Sequence, residues 1–251
     1  MLLGSCVVLF IVAPLLSMVL ATPASDLTET AKDHEVIQSI KLTLTAAFFA
    51  TAFSAIAGIP LAYILARKRF RARSIVMAII DLPIIIPHSA AGIALFAVIG
   101  RNSMIGRIFG KGLVGTSAGI SIAMAFVSMP FLINAARQAF HAVDPKLEKA
   151  ARTLGASPAR AFFTVSLPLA WRGIASGMVL MWARGISEFG AVVIIAYHPM
   201  TTPVMVFQRF NDFGLAYARS VAVLLILICV TIFVVLRLLS AKFNAGEKNN
   251  A

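Results

Sequence analysis

Residues 147–169 read LEKAARTLGASPARAFFTVSLPL. Two helix starts lie in this stretch and its flank. Asp144-Pro145 places a carboxylate where an orphan N–H needs an acceptor and a proline at the first helical position, and Ser157-Pro158 repeats the device. Gly155 predicts a stop for the first helix, and Pro168 predicts that the second does not continue. The stretch is therefore expected to be a helical elbow. In its first half Leu147, Ala150, Ala151 and Leu154 fall at i, i+3, i+4 and i+7, one apolar face with a small-residue centre that a partner could approach closely.

Outside the elbow the chain is mostly apolar. Of its 251 residues 60% are hydrophobic and 13% charged, with a mean hydropathy of +0.92. A soluble domain carries about 25% charged residues, so the balance is that of a polytopic membrane protein, and a single membrane domain over 1–251 fits the length. The formal net charge of +12 does not indicate nucleic acid, because the basic residues lie between apolar spans without an aromatic-basic platform. Cys6 and Cys229 lie far apart in apolar stretches, and His34, His88, His141 and His198 are scattered. No metal site is expected.

Six apolar stretches, at about 2–21, 39–66, 74–100, 114–134, 173–197 and 218–239, are long enough to cross a hydrocarbon core of roughly 30 Å. A cleaved signal peptide competes for the first, but its start lacks basic charge and its apolar run is long, which favours a retained span. In the second, Ala46, Ala50, Ser54, Gly58 and Ala62 form a small-residue stripe suited to close helix packing in lipid. It ends in Arg67, Lys68, Arg69, Arg71 and Arg73, a cluster that belongs on the cytoplasmic side. That orientation puts the 137–172 loop, with the elbow, in the cytoplasm. Both termini follow, 101–111 and 198–217 become outer loops, and only the tail after Lys242 is expected to be disordered.

The third and fifth spans carry polar residues that a lipid-facing helix would not. Asp81, Pro83, Pro87 and His88 interrupt the third; prolines free backbone groups, and the ionisable pair should face the bundle interior. Interfacial anchoring is a second reading for Asp81. In the fifth, Arg184 and Glu188 are i and i+4 and could neutralise each other, either as a structural pair or in contact with a passing solute. Gly115-Thr116-Ser117-Ala118-Gly119 matches a nucleophile-elbow string but opens an apolar span, where Gly115 and Gly119 read as a close-packing face. No G-x-x-x-x-G-K-[ST] phosphate loop occurs. ATP-driven work would need another subunit to bind the nucleotide.

With the elbow cytoplasmic, it resembles the EAA loop of binding-protein-dependent ABC importers. The residues are Glu148-Lys149-Ala150-Ala151, then Gly155, then Val165-Ser166-Leu167-Pro168, with Lys149 a departure from a strict Glu-Ala-Ala. Residues 84–92 and Arg184–Val192, RGISEFGAV, are similar to the molybdate/tungstate and sulfate branch of these permeases, closest to the archaeal-type molybdate/tungstate form. The resemblance covers nearly the whole chain. It implies an all-α type I ABC importer permease fold, six transmembrane helices with a cytoplasmic coupling helix, and no enzyme activity in this chain. It also implies a second copy of the chain, two cytoplasmic ATPase subunits holding ATP and Mg, and an extracytoplasmic oxyanion-binding protein, all at the cell membrane.

On that reading Leu147, Glu148, Ala150, Ala151, Arg152, Gly155, Leu167 and Pro168 couple to the ATPase, with Glu148 and Arg152 fixing register by charged hydrogen bonds. Asp81, Pro87, His88, Ser89, Arg184, Ser187 and Glu188 line the pathway. N–H groups freed at 87–92 and the Ser89 and Ser187 hydroxyls would serve an oxyanion, and Arg184 would offset Glu188 and Asp81. Sulfate or thiosulfate is the alternative cargo, and a stand-alone ion-coupled carrier the rival outside the class.

Overall fold

The structure, a computed structural model, describes residues 2–108 and 112–248. Its elements are α1 (Leu2–Leu20), α2 (Ala24–Lys32), α3 (His34–Arg67), α4 (Arg73–Ile85), α5 (His88–Ile99), α6 (Met104–Ile108), α7 (Ser117–Ala142), α8 (Pro145–Thr153), α9 (Pro158–Ala161), a π-helical segment (Phe162–Ser166), α10 (Leu167–Ile186), α11 (Gly190–Ile195), α12 (Thr202–Phe213) and α13 (Leu215–Lys248). All regular structure among the described residues is helical. Helices satisfy their backbone groups within one segment, which apolar surroundings require. The fold is all-α and polytopic.

The helices gather into two compact units, one from Met1–Lys41 and Met200–Ala251, the other from Leu42–Pro199. In the first, α2 and α12 pack on α13. Asp33 caps the start of α3 by accepting the Glu35 N–H at 2.9 Å, and its other oxygen accepts from Arg209 Nη2 at 2.6 Å. Burial alone would push the Asp33 carboxyl up, but the hydrogen bonds from Arg209 and the backbone outweigh it and hold the group below its ordinary value.

The second unit is built on the crossing of α7 and α10. Glycines allow that crossing to be close: a Cβ on Gly173 would lie 2.5 Å from Ala139 Cβ, and one on Gly177 would lie 2.7 Å from Ala135 Cβ. The small stripe of α3 is buried along its whole length, from Ala46 at 2% exposure to Ala62 at 0%. Ala62 and Leu65 join Ile133, Ala136 and Phe140 of α7 and Ala170 and Ile174 of α10 in one apolar core.

Among the described residues, four helices are long and apolar enough to cross a membrane: His34–Arg67, Ser117–Ala142, Pro158–Ile186 and Leu215–Val235. Two bent pairs, Gly4–Leu20 with Ala24–Lys32 at 81° and Arg73–Ile85 with His88–Ile99 at 111°, raise the number to six if each is one span. The expected third span, 74–100, is thus not one straight helix. Ile86 and Pro87 are extended, and a residue before proline is driven out of the α region by the pyrrolidine ring. The expected fifth span is likewise broken, between Ile186 and Gly190.

Other boundaries also move. The segment between the first two expected spans contains α2, the expected 198–217 loop contains α12, and α13 runs past Lys242, where disorder was expected. The end of the 101–111 loop lies outside the described residues. Pro168 does not stop its helix. The Leu167 N–H bonds to Phe162 O, five residues back, and this widened π turn accommodates a proline that has no N–H to give. Gly119 does mark a close approach, since a Cβ there would collide with Leu113 O. Gly115 lies outside the helix, at φ +76°, and Thr116 caps α7 by accepting the Gly119 N–H.

Candidate functional site

The elbow forms as its caps dictate. Asp144 accepts the Lys146 N–H at 2.9 Å, and Ser157 accepts the Arg160 N–H at 3.2 Å. Gly155 stands at φ +89°, where the Ala156 N–H reaches Ala151 O and the Gly155 N–H reaches Arg152 O, a Schellman closure that favours glycine. Leu147 is 48% exposed and Leu154 is 89% exposed, and Ala150, Arg152 and Gly155 are exposed beside them. Among the described residues, the face singled out by its i, i+3, i+4, i+7 spacing is thus left exposed at Leu147, Ala150 and Leu154, with Ala151 half-buried. Leu167 and Pro168 are not part of it: Leu167 packs on the core under the elbow, and Pro168 is exposed at the start of α10.

Glu148 differs from its expected role. It follows Leu147 in the chain but faces the bundle, and its carboxylate is taken up inside the molecule. Oε1 accepts from Arg67 Nε at 2.7 Å and from Ser166 Oγ at 2.6 Å, and Oε2 accepts from Tyr63 Oη at 2.9 Å. Arg67 Nη2 also donates to Val143 O at 2.9 Å, just before α8. Beneath this knot the Tyr63 ring meets Phe140 and Phe162 edge-on, at 5.3 Å and 4.8 Å between centroids. Both halves of the elbow are thus bolted to the C-terminal ends of α3 and α7. Lys149 and Arg152 of the same helix are exposed.

The sequence offers no local signal for this knot. Tyr63 and Arg67 lie 85 and 81 residues from Glu148, and Arg67 reads as an orientation charge. Burial pushes the Glu148 carboxyl up, yet the hydrogen bonds from Ser166, Tyr63 and Arg67 together outweigh it and hold the group below its ordinary value of 4.5.

A second polar cluster joins α5 to the break between α10 and α11. Two glycines bring these helices together: a Cβ on Gly92 would lie 2.9 Å from Ala191 O, and one on Gly190 would lie 2.8 Å from His88 Cβ. Glu188 is 1% exposed. Its Oε1 accepts the Ala191 N–H at 3.0 Å and so caps α11. Its Oε2 lies 3.0 Å from His88 Nδ1 and 3.2 Å from Arg184 Nη1, close but without the alignment of a hydrogen bond. Arg184 Nη2 straddles the two His88 nitrogens at 3.0 and 3.1 Å, and Nη1 donates to Ser187 Oγ at 3.2 Å.

The structure therefore brings His88, Arg184, Ser187 and Glu188 into one cluster, with Pro87 and Ser89 exposed at its edge. Asp81 is not a member. Its Oδ1 accepts from Asn134 Nδ2 at 2.7 Å and ties α4 to α7, so Arg184 offsets Glu188 and not Asp81. Backbone donors at the start of α5 are partly used, since the Ala91 N–H bonds to Pro87 O. Among the described residues no group of His, Cys, Asp or Glu is arranged to hold a metal ion.

The chain thus carries an exposed helical elbow on one side of a helical bundle and a charged cluster between α5, α10 and α11. This chain belongs to the binding-protein-dependent transport system inner membrane component family, whose model matches residues 58–244. The molybdate/tungstate transport system permease protein of Pyrococcus abyssi is 46% identical over 243 residues, 96% of this chain and 94% of that one. A sulfate transport system permease protein of Salmonella typhimurium is 32% identical over 83% of this chain and 78% of that one. In fold the chain is similar to a bacterial ABC transporter involved in alginate import, with a TM-score of 0.73 at 16% identity over 96% of this chain and 94% of that one.

Proposed function

We propose that this chain is the permease subunit of an ATP-driven importer for molybdate and tungstate. Two copies would form the translocation path, with both termini cytoplasmic. Two cytoplasmic ATPases would dock on the elbows and hold the ATP and Mg, and an extracytoplasmic binding protein would deliver the oxyanion. The observation that carries this reading is the 46% identity, nearly end to end, to a molybdate/tungstate permease, against 32% for the sulfate relative. The uncovered apolar face of α8 supports an ATPase partner: Leu147 and Leu154 offer anchors, and Ala150 and Gly155 let a groove close over them. Closure of the two ATPases would then move each bolted elbow, and the helices fixed to it, as rigid bodies.

Reconstitution with the cognate ATPase and binding protein in liposomes tests the reading. ATP-dependent accumulation of tungstate and molybdate in preference to sulfate is the expected result. Sulfate-only uptake, or uptake by this chain without an ATPase, would overturn it. Two variants probe its parts. A Cβ on Gly155 meets no atom within 4 Å, so Gly155→Arg should strain one exposed turn at φ +89° and leave the bundle intact. Its expected outcome is loss of the ATPase from a pull-down with helical content unchanged; retention at full stoichiometry would remove the docking assignment. Arg184→Gln leaves the Glu188 charge unanswered toward a dianion, and tungstate uptake should fall by about tenfold or more. Normal uptake would take Arg184 out of the pathway.

A further inference from the structure

The two carboxylate oxygens of Glu188 have different tasks. Oε1 caps α11, which any neutral acceptor such as a glutamine carbonyl would do. Oε2 makes no aligned hydrogen bond, although it lies 3.0 Å from His88 and 3.2 Å from Arg184. What it contributes there is negative charge. An acidic side chain 1% exposed within a membrane domain is costly, and capping alone does not call for it.

The side of the cluster away from Glu188 is open. Arg184 and His88 keep 25% and 32% of their side-chain surface, and Ser187 and Ser89 are exposed beside them. The Arg184 guanidinium is a donor suited to a tetrahedral oxyanion, and the Ser187 hydroxyl holds it in place by accepting from Nη1 and donating to Arg184 O. Left uncompensated, it would hold a dianion firmly. A transport path needs the reverse, attraction enough to admit the cargo and too little to keep it.

Resting on the oxyanion-import reading above, we propose that Glu188 is an affinity-limiting residue of the pathway: its buried charge, set against Arg184, keeps the part-exposed guanidinium from trapping the oxyanion in transit. Its removal should convert a passage into a binding site.

The test uses the assembled complex of permease and ATPases in lipid nanodiscs, without binding protein, and labelled tungstate at equilibrium. Glu188→Gln keeps the cap on the Ala191 N–H and removes the charge. The expected result is saturable tungstate binding at least tenfold tighter than in the wild type, lost again in the Glu188→Gln/Arg184→Gln double variant, together with a fall of about tenfold in uptake by the liposome system. Ser89→Arg adds a second cation at the exposed rim and keeps Glu188 and the Ser187–Arg184 hydrogen bonds in place, so it should also raise tungstate binding and slow uptake even if Glu188→Gln fails to assemble. Wild-type uptake of tungstate with no tighter binding in either variant would overturn this inference and leave the proposed function standing. A wild-type complex that imports sulfate but no tungstate or molybdate would overturn both.

Discussion

Glu148→Ala should uncouple ATP hydrolysis from import. The substitution leaves Arg67, Tyr63 and Ser166 without their shared acceptor, and the Arg67–Glu148 pair is only 11% and 13% exposed. Removing one member of a fully buried pair costs about 3–5 kcal/mol, and this part-buried pair, whose Arg67 keeps its bond to Val143 O, should lose less than that. That loss falls on the attachment of α8 to α3 and α7, since the α7–α10 core does not depend on it. The elbow would still present Leu147, Ala150 and Leu154 to an ATPase but would no longer transmit its movement. In proteoliposomes the expected result is continued ATP hydrolysis with the ratio of oxyanion imported to ATP consumed reduced by tenfold or more. Glu148→Gln, which keeps an acceptor for Tyr63 and Ser166, should fall between. An unchanged ratio in Glu148→Ala would show that the knot is not part of the lever.

The same knot carries a pH dependence of definite sign. A carboxyl whose folded value is depressed stabilises the fold fully above its unfolded value, here 4.5, and that contribution is lost as pH falls through the folded value. Coupling should therefore be insensitive to pH in the neutral range and weaken only in acid below the ordinary carboxylate value.

Gly92→Val should have the second large effect, on the polar cluster. A Cβ at this position would stand 2.9 Å from Ala191 O and Ile194 Cβ and 3.0 Å from Ala191 Cα, so two of the three obstacles are backbone atoms. Overpacking of this kind costs about 1–3 kcal/mol. Here it is relieved by moving α5 away from α11, which carries His88 from Arg184 and Glu188. Expected outcomes are a fall in oxyanion uptake of more than tenfold and a permease that still retains its ATPase in a pull-down, because the elbow lies elsewhere. Uptake at the wild-type rate would mean that the α5–α11 spacing does not govern the pathway.

The sequence by itself determined the elements whose cause is local. Asp144-Pro145, Ser157-Pro158 and Gly155 are capping chemistry readable within a few residues, and the elbow formed where they placed it. The Ala46–Ala62 stripe likewise predicted a buried face, because small residues at helical spacing have one main use in a membrane helix. The Arg184–Glu188 pair followed from the i, i+4 rule. Pro168 misled because a proline's effect depends on whether the turn before it can widen, which the local string does not record.

Only the tertiary structure decided what those elements do to each other. Glu148 turned from a partner-facing charge into an internal bolt because Tyr63, Arg67 and Ser166 arrive from other helices at its side of α8. His88 joined Arg184, and Asp81 left it for Asn134, because the 111° bend before α5 sends residues only seven apart in sequence to different neighbours. Caps and stripes are set by residues within one or two turns of helix. A buried charge is set by whichever distant group reaches it first, and that depends on packing.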